Sequence, residues 1–358
     1  MRTYTIPDPV VDAKEEKQLK ELSARYDKLI EPGKITKAGK KTFQVISKRT
    51  PDNIKELLKK SKETITQAEL YEKAMKVIAD GFAILEKNAA KVTIRENAII
   101  SQINDVNEEN YISNIEDICL ARGYDLSRIV SSYKLKNLTI AFIEGGGTGF
   151  FGFPGIPFNI VLSTFIYFRA VQSIAMIYGY DIKNNSSEMV IASEVLANAM
   201  SPSGANTSEI GSIIGKFMVM AEVTTIKQTV KKGWTAMAEH GGVALLLTQI
   251  RALANKAAAK ALEKAGQAGI EREVFKSLFE QIGKKLTQNA IKKAVPFVGA
   301  GIGALFDTSM MNTIVEYADV FYNKRFILEK ADRIGLLTSY ESDNGIIDVE
   351  YEEGQEDN

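Results

Sequence analysis

Between Glu144 and Pro157 the chain reads EGGGTGFFGFPGIP, six glycines among three phenylalanines and two prolines. Glycine at this density serves where backbone must approach backbone closely or adopt left-handed angles, and it weakens any helix or strand it enters. Apolar sequence brackets the stretch. A short run at 138–143 precedes it, and residues 157–178 continue it as a long apolar helix pattern that stops at Gly179. A second piece of the same kind, AVPFVGAGIGALFD at 294–307, lies far downstream. Small surfaces of this sort pack against each other or enter an apolar interface as loops.

The remaining chain is read through its apolar period. A short amphipathic helix is expected over 14–30, broken at Pro32-Gly33, and a long one from Pro51 to about Glu96, with Pro51 at the first helical position. Residues 111–120, 186–200, 209–234, 245–262 and 274–293 carry further helical patterns. On 245–262, Leu246, Ile250, Leu253, Ala257 and Ala261 form one side; on 274–293, Phe275, Leu278, Phe279, Ile282 and Leu286 do so, with Lys284, Lys285, Lys292 and Lys293 opposite. A last helix is expected from Thr308 to about Ala331. Strand patterns are scarce. The expected fold is therefore mainly α, a multi-helix bundle with the two apolar glycine-rich segments packed centrally. Its parts are a polar extension with a short helix (1–50), a helical domain (51–335) and an acidic, disordered tail (336–358) that carries eight carboxylates from Leu337 onward and no base.

Composition narrows the chemistry. Lys plus Arg and Asp plus Glu each number 45, so no nucleic-acid partner is indicated. One cysteine, Cys119, excludes an intramolecular disulfide, and one histidine, His240, excludes H-E-x-x-H. The N-terminus has no apolar leader region, which fits a cytoplasmic-side protein. Gly147-Thr-Gly149-Phe-Phe-Gly152 matches the spacing G-x-G-x-x-G. A dinucleotide site, however, needs a helix starting inside that motif, and Pro154 and Pro157 interrupt it at once. No acidic residue stands about twenty positions on. No cofactor or metal is expected. Residues 157–178 are long enough to span a bilayer, but Arg169 in their middle would cost about 2.5–3.5 kcal/mol, so a buried core helix is the better reading.

Two tetrapeptides echo each other: ArgGlyTyrAsp at 122–125 and TyrGlyTyrAsp at 178–181. Both read as helix ends, with glycine in the left-handed position and the aspartate capping the next element.

These motifs resemble the EcsC family of bacterial proteins. The residues that carry the likeness are Glu144, Gly145, Gly147, Gly149, Gly152 and Pro157, then Arg169, Ile174-Ala175 and Tyr178 to Asp181, with Pro296, Phe297, Gly299, Gly301 and Gly303 downstream. It covers about residues 50–330. Relatives usually place an aspartate just before the proline that opens the central helix, where this chain has Ile156. The family takes its name from a companion of a bacterial ABC transporter, so the resemblance implies work at a membrane or with a membrane protein, and supplies no biochemical activity.

The expectation is thus a non-catalytic helical protein, peripherally attached on the cytoplasmic side of a membrane, whose partner is membrane lipid or a membrane protein. Glu144, Gly145, Gly147, Gly149, Gly152, Arg169, Tyr178 and Asp181 are its candidate binding residues; Lys284, Lys285, Lys292, Lys293 and Phe297 are candidate membrane contacts. Two rivals stay open: an enzyme working on a lipid or nucleotide through Glu144 and the glycine loop, and a toxin or defence effector that inserts its apolar segments into a bilayer.

Overall fold

The computed structural model describes residues 5–30, 95–107, 109–132, 156–200, 208–219, 242–293 and 308–347. Those residues are helical with short connections and contain no strand. The helices are α1 (Ala13–Ile30), α2 (Glu96–Asn104), α3 (Gly123–Ser132), α4 (Ile156–Ile177), α5 (Ser186–Ala199), α6 (Glu209–Val219), α7 (Val243–Lys293) and α8 (Thr308–Ile347), with a 3-10 turn at Glu116–Leu120 before α3. Both glycine-rich segments, His240 and the helix expected from Pro51 lie outside the described residues, as does their central packing.

Two helices form the centre. On α5 every residue from Glu188 to Ala199 is buried, and on α8 the same holds from Tyr317 to Lys330. A helix apolar or paired all round must lie inside, and α5 accordingly packs against α4, α6, α7 and α8. Asn185 starts α5 by accepting hydrogen bonds from the backbone N–H groups of Ser187 and Glu188.

The first helix belongs to this bundle, which corrects its placement in a separate extension. Leu19, Leu22 and Tyr26 are buried, and α1 lies along α8. It begins with a reciprocal cap: the Glu15 N–H donates to Asp12 Oδ1 at 2.7 Å and the Asp12 N–H to Glu15 Oε2 at 3.2 Å. At the other end of the chain, α8 continues past the expected stop near Ala331 to Ile347, so the first part of the tail expected to be disordered is helix. Ile334 and Leu337, one turn apart, pack with Cys119 and Leu120, which extends the apolar stripe that far.

Long as it is, α7 is two helices. Gly266 has non-helical angles (φ 68°, ψ 174°), and residues on either side of it touch the same short helix. Ser187 of α5 donates to Asn255 at 2.5 Å, and Gln281 donates to Glu194 of α5 at 3.1 Å. A straight helix would separate positions 255 and 281 by about 39 Å, whereas 187 and 194 stand about 10 Å apart. The chain therefore folds back at Gly266. Leu246 and Ile250 are buried on the first arm as expected, Leu253, Ala257 and Ala261 half-buried, and Val274, Phe275 and Leu278 are buried on the second.

The returning arm runs antiparallel to α4. Arg169 pairs with Glu271 at 2.7 Å, and four residues back Phe165 meets Phe275, four residues forward, edge-on with ring centroids 6.0 Å apart.

Candidate functional site

Where α4 ends, the sequence Tyr178-Gly179-Tyr180-Asp181 makes the turn that the interior is fastened to. Gly179 is left-handed (φ 76°); its N–H donates to Met176 O at 2.9 Å, and the Tyr180 N–H donates to Ala175 O at 3.0 Å. Those two bonds satisfy the last carbonyls of α4 in the manner of a Schellman cap. Arg333 of α8 closes the end, donating to the carbonyls of Tyr178 and Gly179 at 2.9 and 2.6 Å, with its guanidinium 4.7 Å from the centre of the Tyr180 ring. A β-carbon on Gly179 would stand 2.3 Å from Arg333 Nη2 and 3.0 Å from Ile115 O. Asp181 caps no helix; its side chain accepts from the N–H groups of Lys183 and Asn184 in a local turn, and Asn185 caps α5.

The echo at 122–125 is a different structure. Gly123 is the first residue of α3 rather than the end of a helix, and it has no left-handed angle. What glycine supplies there is closeness: a β-carbon would meet Ile327 Cγ1 at 3.3 Å and Asn323 Oδ1 at 3.4 Å.

From this turn a column of buried polar groups runs along α8. The Tyr178 hydroxyl donates to Asp319 Oδ1 at 2.5 Å, and Arg25 of α1 donates to Asp319 Oδ2 at 2.5 Å and to Glu316 at 2.6 Å. Burial raises Asp319 above the usual carboxylate range despite Arg25 beside it, and burial next to that carboxylate pushes the Tyr178 hydroxyl well up. Further along, Arg325 holds Glu188 with two bonds of 2.6 and 2.7 Å and Glu329 with one of 3.1 Å. Glu329 also takes Arg251 at 2.8 Å and the Tyr180 hydroxyl at 3.1 Å. Burial works to raise Glu329, but Arg325, Arg251 and Arg333 together outweigh it and hold the group below its ordinary value.

Glu15 ends the column. Its carboxylate accepts from Lys330 at 2.8 and 3.2 Å and from the Gly123 N–H at 2.8 Å, with neither charged side chain exposed. It thus sits at the N-terminus of α3, where the helix dipole favours negative charge. Arg122 approaches it at 3.5 Å and donates to Pro9 O at 2.9 Å. Lys324 is held otherwise: its ammonium donates to the carbonyls of Met218 and Phe217, at 2.6 and 3.4 Å, at the C-terminus of α6, and burial lowers it to about 8.

The described candidates, Arg169, Tyr178 and Asp181, do not form one cluster. Tyr178 is engaged by Asp319 and Asp181 by its own turn, while Arg169 lies nine residues before Tyr178 on α4, about 13 Å along the axis. It bonds Gln172 at 2.9 Å and Glu271, and lies 4.7 Å from the centre of the Phe165 ring. Glu144, Gly145, Gly147, Gly149, Gly152 and Phe297 lie outside the described residues. Lys284, Lys285, Lys292 and Lys293 stand on the returning arm of α7. The buried column was missed in the sequence because its members come from six segments, α1, the start of α3, the turn at 178–181, α5, α7 and α8. Only Asp319, Lys324, Arg325, Glu329 and Lys330 left a trace, as charges on every face of one helix pattern.

Chemically the column ties helices together. Asp319, Arg325, Glu329, Lys330 and Glu15 are each 2% exposed or less, so solvent and substrate are excluded from them. Among the described residues, no cluster of three or more His, Cys, Asp or Glu side chains could hold a metal ion, and no helix is long and apolar enough to cross a membrane.

No curated protein and no solved structure matches the chain. Residues 16–327 match the EcsC protein family, a span that begins on α1, well before the residue near 50 expected from the motifs alone. The chain belongs to the EcsC protein family.

Proposed function

We propose that this EcsC-family protein is a non-catalytic helical protein that attaches peripherally to the cytoplasmic face of a membrane and acts there with the lipid or with a membrane protein. One observation carries the reading. The last stretch of α7, from Gln281 to Lys293, contains Lys284, Lys285, Lys292 and Lys293 and no carboxylate, and it continues directly into the apolar, glycine-rich residues 294–306. A basic helix leading into apolar sequence is the composition of an interfacial attachment. Each lysine near an anionic surface contributes about 1 kcal/mol, so four provide a binding energy that salt would remove.

Vesicle flotation tests it. The protein should float with phosphatidylserine-containing vesicles at low salt and be released at high salt. Replacing all four lysines by glutamine should abolish flotation without lowering the melting temperature. Binding that persists at high salt would sink the electrostatic account, and dye leakage from the vesicles would favour the inserting effector instead.

A further inference from the structure

Two contacts on one helix pair fix which end of the bundle the lysines occupy. Arg169 lies against Glu271 and Phe165 against Phe275, so each step back along α4 is a step forward along α7. Ile156, nine residues before Phe165 (165 − 156 = 9), is then level with Lys284, nine beyond Phe275 (275 + 9 = 284). The chain enters α4 from the first glycine-rich segment and leaves α7 into the second. Both segments therefore join the bundle at one end. By the same register Ile174 is level with Gly266 (174 − 169 = 5; 271 − 5 = 266), which places the Gly266 fold-back at the end of the bundle that carries the Gly179 turn.

The two ends differ in charge. At the first, α4 has no charged residue from Ile156 to Phe168, and α7 has only lysines after Glu280. At the second, Asp181 and Lys183 lie on the turn after α4, and Lys260, Glu263 and Lys264 are exposed on the last turns of α7 before Gly266, a mixed-sign surface. An apolar helix start beside an unbalanced basic helix end suits the boundary of an anionic bilayer, where apolar groups enter the headgroup region and lysines meet the phosphates. A mixed-sign end gains nothing there.

We propose that the end of the bundle where α4 begins and α7 stops is the face that docks on an anionic phospholipid surface, with the Gly179 and Gly266 turns pointing away into water. This rests on the membrane reading above and adds its orientation.

Single cysteines at Asn159 and Thr287 mark the proposed docking end, and at Asn184 and Lys264, both exposed, the opposite end. Cys119 is buried, and the chain without an added cysteine serves as the labelling blank. Each variant, carrying a polarity-sensitive nitrobenzoxadiazole dye, is titrated with vesicles of phosphatidylcholine alone and with phosphatidylserine added. Two positions at each end guard against one variant misfolding, and melting curves verify the fold. The expected result is a rise and blue shift of emission at 159 and 287 with the anionic vesicles, and no change at 184 and 264. If the unlabelled protein floats but all four dyes respond alike, or those at 184 and 264 respond more, the orientation is overturned while the membrane reading stands. Equal responses on both vesicle types overturn the anionic requirement. If the protein floats with neither vesicle, the membrane reading itself falls.

Discussion

The middle of α8 and the end of α7 are both rich in cations, and they use them in opposite ways. On α8, Arg325 and Lys330 are buried and each faces a carboxylate brought from another helix, Glu188 and Glu15, with Glu329 shared among Arg325, Arg251 and Tyr180. On α7, the thirteen residues 281–293 carry four lysines and no carboxylate. A buried cation without a partner is prohibitively expensive, so the α8 charges exist only as part of the fold. The lysines of 281–293 have no carboxylate within their own stretch, and the membrane reading proposed above assigns them to an anionic surface outside the fold. Under that reading the difference separates charge that holds the structure from charge offered to a partner.

The sharpest test of that division is to remove one charge from each region. Glu15→Ala leaves Lys330 buried and unpaired, and takes away the acceptor of the Gly123 N–H. Breaking such a pair should destabilise the protein by about 3–5 kcal/mol, read as a shift in the urea midpoint. Lys292→Gln should change stability by no more than about 0.5 kcal/mol. Comparable losses from the two would erase the distinction. Replacing both Glu15 and Lys330 by leucine and methionine should restore much of the loss, because no charge is then stranded.

A smaller effect sharpens the contrast between the two glycine turns that share the letters GlyTyrAsp. Gly179→Ala meets both a left-handed backbone and Arg333 Nη2 at 2.3 Å, so it should cost about 2–4 kcal/mol. Gly123→Ala needs only a few tenths of an ångström from Ile327 and the Asn323 amide, and should cost about 1 kcal/mol or less. Thermal melts of the two variants decide it. Equal losses would mean that the turn at 179 draws no special stability from its backbone geometry or from Arg333.

These glycines also mark how far sequence reaches. Helices show in it because their apolar period is local, and α1, α4, α5 and the arms of α7 follow it to within a few residues. The left-handed Gly179 was legible too, since a helix pattern stops there. The different role of Gly123 was not, because it depends on α8 passing in front of it two hundred residues later in the chain. The same holds for Glu15, an ordinary surface charge in its own helix pattern until Lys330 and Arg122 arrive from elsewhere. Gly266 falls between: the sequence separates the helical patterns 245–262 and 274–293, but the direction of the second arm comes only from the angles at Gly266 and the two contacts to α5. Arg169 and Tyr178 were singled out for binding by resemblance, and their contacts with Glu271 and Asp319, distant in the chain, are ones that no local pattern announces.

The smallest effect concerns the core cation that has no carboxylate of its own. Lys324 is paired with backbone carbonyls at the end of α6, and the charge of Asp27 of α1 favours its protonated form. Burial lowers it to about 8 from an ordinary value of 10.5. Between these values the unfolded chain keeps the proton while the folded chain sheds it, so the unfolded state binds more protons and stability rises with pH. The gain attributable to Lys324 should be on the order of 1–2 kcal/mol between roughly pH 7.5 and 9.5. Above about pH 10 the sign reverses. Burial raises the hydroxyls of Tyr178, Tyr180, Tyr317 and Tyr322, so they stay protonated in the fold while the unfolded chain ionises. Urea melts across that range on the wild type and on Lys324→Met isolate the lysine, since the methionine keeps the packing over Phe217 and removes the titration. The variant should show a flatter profile below pH 9.5 and the same fall above 10. An unchanged slope would show that the α6 carbonyls hold the ammonium at its ordinary value, more fully than Glu15 does for Lys330, which burial still lowers, and the division between the two regions would then rest on burial rather than on counter-charge.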